Sequence, residues 1–90
     1  MAKILISYKI LPKEVTVDLE RLKQKIRERV PEHSTVHKFV EEPIAYGLTA
    51  LIAHIIVPED KPGGLDELEK ALQKISDISQ IQTLTVHRFS

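Results

Sequence analysis

The stretch Leu48-Thr49-Ala50-Leu51-Ile52-Ala53-His54-Ile55-Ile56-Val57 decides the fold. It is apolar at odd and even positions alike, which marks a strand covered on both sides and therefore central in its sheet. Its ten residues are about half of the ~20 that an apolar helix needs to cross a bilayer. Pro43-Ile44-Ala45-Tyr46-Gly47 turns the chain into it, and Pro58-Glu59-Asp60-Lys61-Pro62-Gly63-Gly64 is a loop by composition.

Working outward, Lys3 to Leu11 alternates, with Ile4, Ile6, Tyr8 and Ile10 on one side. Period two with β-branched residues predicts a half-buried strand, stopped by Pro12. Leu19, Leu22, Ile26 and Val30 then recur at three- and four-residue steps among Arg21, Lys23, Lys25, Arg27 and Arg29. That is an amphipathic helix, with Thr16 as the expected N-cap and Pro31 as its end. Thr35 to Glu42 mixes Val36, Phe39 and Val40 with His37 and Lys38, which suits an edge strand. Leu65, Leu68, Leu72 and Ile75 form a second helical stripe, with Asp66, Glu67 and Glu69 where the helix dipole favours acid. Ile81 to Phe89 alternates again as a final strand. The order β-α-β-β-α-β specifies an α+β, ferredoxin-like sandwich: a four-stranded antiparallel sheet with both helices on one face and strands one and three central.

The 90 residues allow one domain, 1–90, and no second core. Thirteen basic side chains balance thirteen acidic ones, which argues against coating nucleic acid or an anionic membrane. The balance hides a division: residues 1–40 carry nine basic and five acidic side chains, +4, and residues 41–90 carry four and eight, −4. No cysteine is present, which excludes disulfides and thiolate metal sites. No asparagine and a single methionine fit a heat-adapted protein. The start of the chain resembles no signal peptide, because Ser7 and Lys9 break its apolar run at once, so a cytoplasmic location is expected.

Sites for covalent chemistry are hard to assemble from these residues. Neither a phosphate-binding Walker loop nor a dinucleotide fingerprint occurs. His33 and His37 have the spacing of one helix face, but Pro31 and the β-rich context put them on a loop and a strand, so no metal is expected. None of the five serines stands in a nucleophile-elbow pattern. Glu41-Glu42 and Glu59-Asp60 flank turns, where solvated carboxylates are the default. RNA recognition on the central strands would need aromatics there; the only one, Tyr8, points toward the helices by parity. Read alone, the residues describe a small interaction domain without cofactor or active site.

Glu42-Pro43-Ile44-Ala45-Tyr46-Gly47-Leu48, followed by a strand and then Val57-Pro58-Glu59-Asp60, resembles the elongation factor 1-beta family in its archaeal form. The likeness extends over the strand Ile4–Ile10, the Val17-Asp18-Leu19-Glu20-x-Leu22-Lys23 helix start, Gly63-Gly64 and the closing strand. It implies a guanine-nucleotide exchange factor for elongation factor 1-alpha, acting in translation without bond-making chemistry. The family's terminal-strand lysine, which disturbs the magnesium and phosphate site of the partner, falls on Arg88. Arginine is a broader, always-charged fork than lysine. Tyr46 and Gly47 follow the family's turn motif, with Gly47 expected to supply a backbone angle that other residues resist.

The helix-free face of the sheet should present Leu5, Ser7, Lys9, Ala50, Ile52 and His54, more apolar than an idle face needs to be. Ile52 and His54 therefore join Arg88, Tyr46 and Gly47 as expected partner-binding residues. The partner implied is elongation factor 1-alpha in its GDP-bound and nucleotide-free forms, with no direct contact to nucleic acid or membrane. A second reading is a small ligand-binding or regulatory domain, a homodimer through its open sheet face. A third, an acylphosphatase-type hydrolase, is disfavoured because Leu11-Pro12-Lys13-Glu14 stands where an arginine- and glycine-rich anion loop would have to follow strand one.

Overall fold

Strand β3, Thr49–Pro58, lies between two neighbours, and the rest of the chain is arranged to cover its two faces. The computed structural model describes residues 2–60 and 62–89; Met1, Lys61 and Ser90 lie outside it, and with them one residue of the loop Pro58–Gly64. Around β3 stand β1 (Lys3–Pro12), α1 (Leu19–Arg29), β2 (Thr35–Pro43), a 3₁₀ turn (Ala45–Gly47), α2 (Gly64–Gln73) and β4 (Ile78–Phe89). The strand order is β2-β3-β1-β4, all neighbours antiparallel. This is the ferredoxin-like sandwich, with β3 and β1 central and β2 and β4 at the edges.

Pairing of Ile6 with Ile55, Tyr8 with Ala53 and Ile10 with Leu51 places these side chains on one face. Leu22 and Ile26 of α1, and Leu68 and Leu72 of α2, close over them in a single apolar cluster. At ~25 cal/mol per Å², burying each of these large side chains contributes about 1.5–3 kcal/mol. The helix layer carries the charge division of the sequence: α1 supplies Arg21, Lys23, Lys25, Arg27 and Arg29, and α2 supplies Asp66, Glu67 and Glu69. Ion pairs tie this layer down, Lys23 to Glu41 of β2 at 2.8 Å and Lys25 to Asp77 before β4 at 2.6 Å.

Strand β2 ends one residue later than the sequence reading and β3 is shifted by one residue, and three further boundaries also differ. Helix α1 is capped by Asp18, not Thr16: the Asp18 carboxylate accepts from the Glu20 and Arg21 amides at 3.0 and 3.3 Å. Thr16 instead donates to the Glu14 carboxylate. Strand β1 runs through Pro12, and β4 begins at Ile78, three residues before Ile81. Both extensions follow from one bulge, where Leu11 pairs with Gln80 and Pro12 with Ile78. A proline has no amide to give the ladder, and a bulge is where a strand tolerates one. The Ser79 hydroxyl secures the junction by bonding the Leu11 and Pro12 carbonyls, each at 3.3 Å.

One buried group is unpaid for in hydrogen bonds. Tyr8 is fully buried and its hydroxyl has no partner among the described residues. Burial first, then the carboxylates of Glu69 and Asp66, hold the phenol protonated far above its ordinary range. Leaving a buried polar atom unpaired costs about 1–3 kcal/mol. Tyr8→Phe is therefore expected to raise the urea-unfolding free energy by about 1 kcal/mol, since the ring still fills the core; a loss of stability would show that the hydroxyl is in fact satisfied.

Candidate functional site

The turn between β2 and β3 carries the most conspicuous side chain on the molecule. Tyr46 is 95% exposed, and its backbone lies in the left-handed region at φ 62°, ψ 30°. A non-glycine residue there costs about 1–2 kcal/mol. Gly47 follows at φ 76°, where glycine is at ease, so the sequence places a glycine at one left-handed position and an aromatic at the other. The strain is held by the flanking hydrogen bond from the Ile44 amide to the Leu48 carbonyl, 2.8 Å. Val15 of the β1–α1 loop, also exposed, stands beside Gly47, its Cγ1 3.8 Å from where a Cβ would be. Folding alone gives no reason to hold a tyrosine and a valine out here.

Arg88 stands at the other end of the sheet. It pairs with Ile4, which places it on the helix side, while its neighbour Phe89 pairs with Lys3 on the open side. The guanidinium Nε lies 2.7 Å from Glu59 Oε1 in an ion pair, and the arginine side chain is 73% exposed. Glu59 is itself fixed, its amide bonding the Ala2 carbonyl at 3.2 Å. The molecule measures 42 × 20 × 17 Å. Strand β3 separates Tyr46 from Arg88 by ten residues, about 30 Å at ~3.3 Å per residue. The expected site residues thus form no single cluster: Tyr46 and Gly47 mark one tip, Arg88 the other, and Ile52 and His54 lie between them on the open face.

That face is covered more than the alternation alone suggests. Ile52 is only 8% exposed and Ala50 is fully buried. Lys9 pairs with Ile52 from β1, and Glu42 pairs with Ala50 from β2. The ion pair Lys9 Nζ to Glu42 Oε1, 3.3 Å, therefore passes over β3 and roofs both residues. Next along, Ser7 and His54 share a hydrogen bond of 2.7 Å between β1 and β3. Burial first, then Lys38 and His37, pull the His54 pKa below its ordinary 6.5. A buried serine beside a neutral histidine, with no carboxylate bonded to that ring among the described residues, acts as a pin between strands, not as a nucleophile.

A cavity of 390 Å³ after β1 is lined by Lys13, Arg21 and Lys25 but equally by Glu14, Asp18 and Asp77. The Asp18 carboxylate occupies the amides that an anion would use at the α1 N-terminus. Among the described residues, no three His, Asp or Glu side chains gather as a metal-binding set, and no helix is long and apolar enough to cross a membrane.

The expected residues thus give two exposed tips joined by a pinned sheet face. The model of the EF-1 guanine nucleotide exchange domain matches residues 5–90. The chain belongs to this family. It is 41% identical to elongation factor 1-beta of Staphylothermus marinus over 90 residues, all of both chains. The elongation factor 1-beta of Methanothermobacter thermautotrophicus is 41% identical over 88 residues, 98% of each chain. That of Hyperthermus butylicus is 33% identical over all of this chain and 98% of its own. Sequence reasoning missed what the exchange domain does with Lys9, Glu42 and Glu59, because their partners lie across the sheet and become visible only once register is known.

The pinned histidine gives a pH prediction. With its pKa lowered in the folded state, His54 holds fewer protons folded than unfolded, so its stabilising contribution is full above pH 6.5 and is lost as pH falls from there through the lowered folded value. The urea midpoint should drop between pH 7.5 and 5.5, and drop less in His54→Gln. An equal drop in both would place the acid sensitivity elsewhere.

Proposed function

We propose that this protein promotes exchange of GDP for GTP on elongation factor 1-alpha by seating a rigid surface on it and loosening its magnesium and phosphate site. The observation that carries the reading is Tyr46: a nearly fully exposed aromatic held out on strained backbone. Strain retained at an exposed aromatic points to a contact with a partner, where tyrosine contributes large area at low entropic cost. Membership of the exchange-domain family supports the choice of partner and reaction.

Exchange requires no bond to be made by the protein that promotes it. The GTPase holds GDP through a phosphate-binding loop and Mg²⁺. A protein that binds the nucleotide-free form more tightly must weaken nucleotide binding by the same factor, by linkage. Rapid release further needs a ternary complex in which the nucleotide's contacts are already loosened. In this reading Tyr46 anchors one tip. Arg88, an always-charged fork on the last strand, reaches the magnesium and phosphate site with the other. The ~30 Å between the tips, set by the length of β3, lets one small domain grip two separate places.

The test is release of a fluorescent GDP analogue from elongation factor 1-alpha, with this protein sub-stoichiometric. Acceleration is expected, with turnover over many GTPase molecules; none would refute the reading. Arg88→Ala should slow release about tenfold or more, the loss of a charge-assisted contact worth ~1.5–3 kcal/mol, and Arg88→Lys should recover most of it. Tyr46→Gly should raise the KM about tenfold or more, as loss of an aromatic anchor does. Its urea stability should stay within ~1 kcal/mol of the parent, because the left-handed backbone is relieved.

A further inference from the structure

We propose that the helix-free face of the sheet docks on an acidic, partly apolar patch of the GTPase, and is not a self-association surface. This rests on the exchange reading above. Strand register assigns the face residue by residue. Thr35, Ile56, Leu5 and His87 form one cross-strand row; Lys38, His54, Ser7 and Thr85 the next; Val40, Ile52, Lys9 and Gln82 a third. Lys3 and Phe89 stand together beyond the first row. Paired residues in an antiparallel sheet share a face, and rows lie about 7 Å apart along the strands.

The face therefore mixes apolar and cationic groups, with Leu5 and Ile56 in one row and Ile52 in another flanking the polar Ser7–His54 pair. Leu5, Ile56, Ile52, Val40 and Phe89 supply the apolar area, with Val40 and Phe89 exposed. Lys3, Lys9 and Lys38 supply charge. Among the described residues the register puts one acid here, Glu42, and it is already engaged by Lys9. Neither Lys3 nor Lys38 has a carboxylate of the described residues within 4.0 Å. On the helix side Lys23 and Lys25 are each matched to an acid of another element, and Arg27 lies over the Phe39 ring.

Two copies stacked through this face would bring Lys3, Lys9 and Lys38 against the same cations of the other copy. Like charges across an interface cost several kcal/mol, whereas opposite ones lower that cost and steer the encounter. An acidic, partly apolar patch satisfies both kinds of group on the surface. It also competes with Glu42 for Lys9, which would lift the ion pair that roofs Ile52 and add its side chain to the contact.

The experiment measures binding to immobilised nucleotide-free elongation factor 1-alpha and, in parallel, release of fluorescent GDP. Lys38→Glu and Val40→Asp are compared with Lys70→Glu on the outer side of α2, and the chain alone is sedimented. Expected are a Kd and a KM raised about tenfold or more by Lys38→Glu and by Val40→Asp. Lys70→Glu should have no effect, the parent Kd should weaken as salt rises, and the free protein should sediment as a monomer. The proposal is overturned if both face variants bind as the parent does, or if the parent is a dimer that Val40→Asp dissociates. Binding without accelerated release would remove the exchange reading and leave the docking face standing; accelerated release with unaffected face variants would do the reverse.

Discussion

Everything in this molecule depends on covering β3 twice. Leu51, Ala53, Ile55 and Val57 must be sheltered on one side, and Ala50, Ile52 and Ile56 on the other. The helices solve the first problem with Leu22, Ile26, Leu68 and Leu72. The second is solved only in part, by the Lys9–Glu42 pair over Ile52 and Ala50 and the Ser7–His54 pin beside it. A polar cover of this kind stabilises little, because half-exposed ion pairs are worth ~0–1 kcal/mol. It is enough to keep an apolar strip from water, and weak enough to be exchanged for a partner.

The same strand sets the functional geometry. Its N-terminal end begins at the turn that holds Tyr46 out, and its C-terminal end leads to Glu59, which fixes Arg88. A ten-residue strand is thus both the core of the fold and the spacer between the two exposed tips.

The fold was legible in the sequence because it rests on periodicity. The two-sided apolar run of β3, the alternation of β1 and the stripes of both helices each translate directly into burial. Boundaries were less legible where a local competition decided them. Thr16 and Asp18 are both good caps, and the ionised carboxylate won because it also meets the positive end of the helix dipole. Pro12 reads as a stop, yet a bulge with Ser79 bonding its carbonyl lets the strand continue. The site was half legible. The Tyr46-Gly47 turn could be named from its motif, but its left-handed tyrosine, the Arg88–Glu59 contact and the roof over Ile52 all depend on cross-strand register, which no local pattern encodes.

This domain is expected to meet its GTPase through the helix-free sheet face and the Tyr46 and Arg88 tips, and not through the outer surfaces of its helices. The most direct measurement is an amide and methyl NMR titration of the labelled protein with unlabelled GDP-bound elongation factor 1-alpha. Signals of Tyr46, Val40, Ile52, Ile56, His87 and Arg88 should broaden or shift first, while those of Arg21, Lys70 and Lys74 on the outer helix surfaces stay in place. Perturbations concentrated on α1 and α2, with Tyr46 and β3 unchanged, would contradict it.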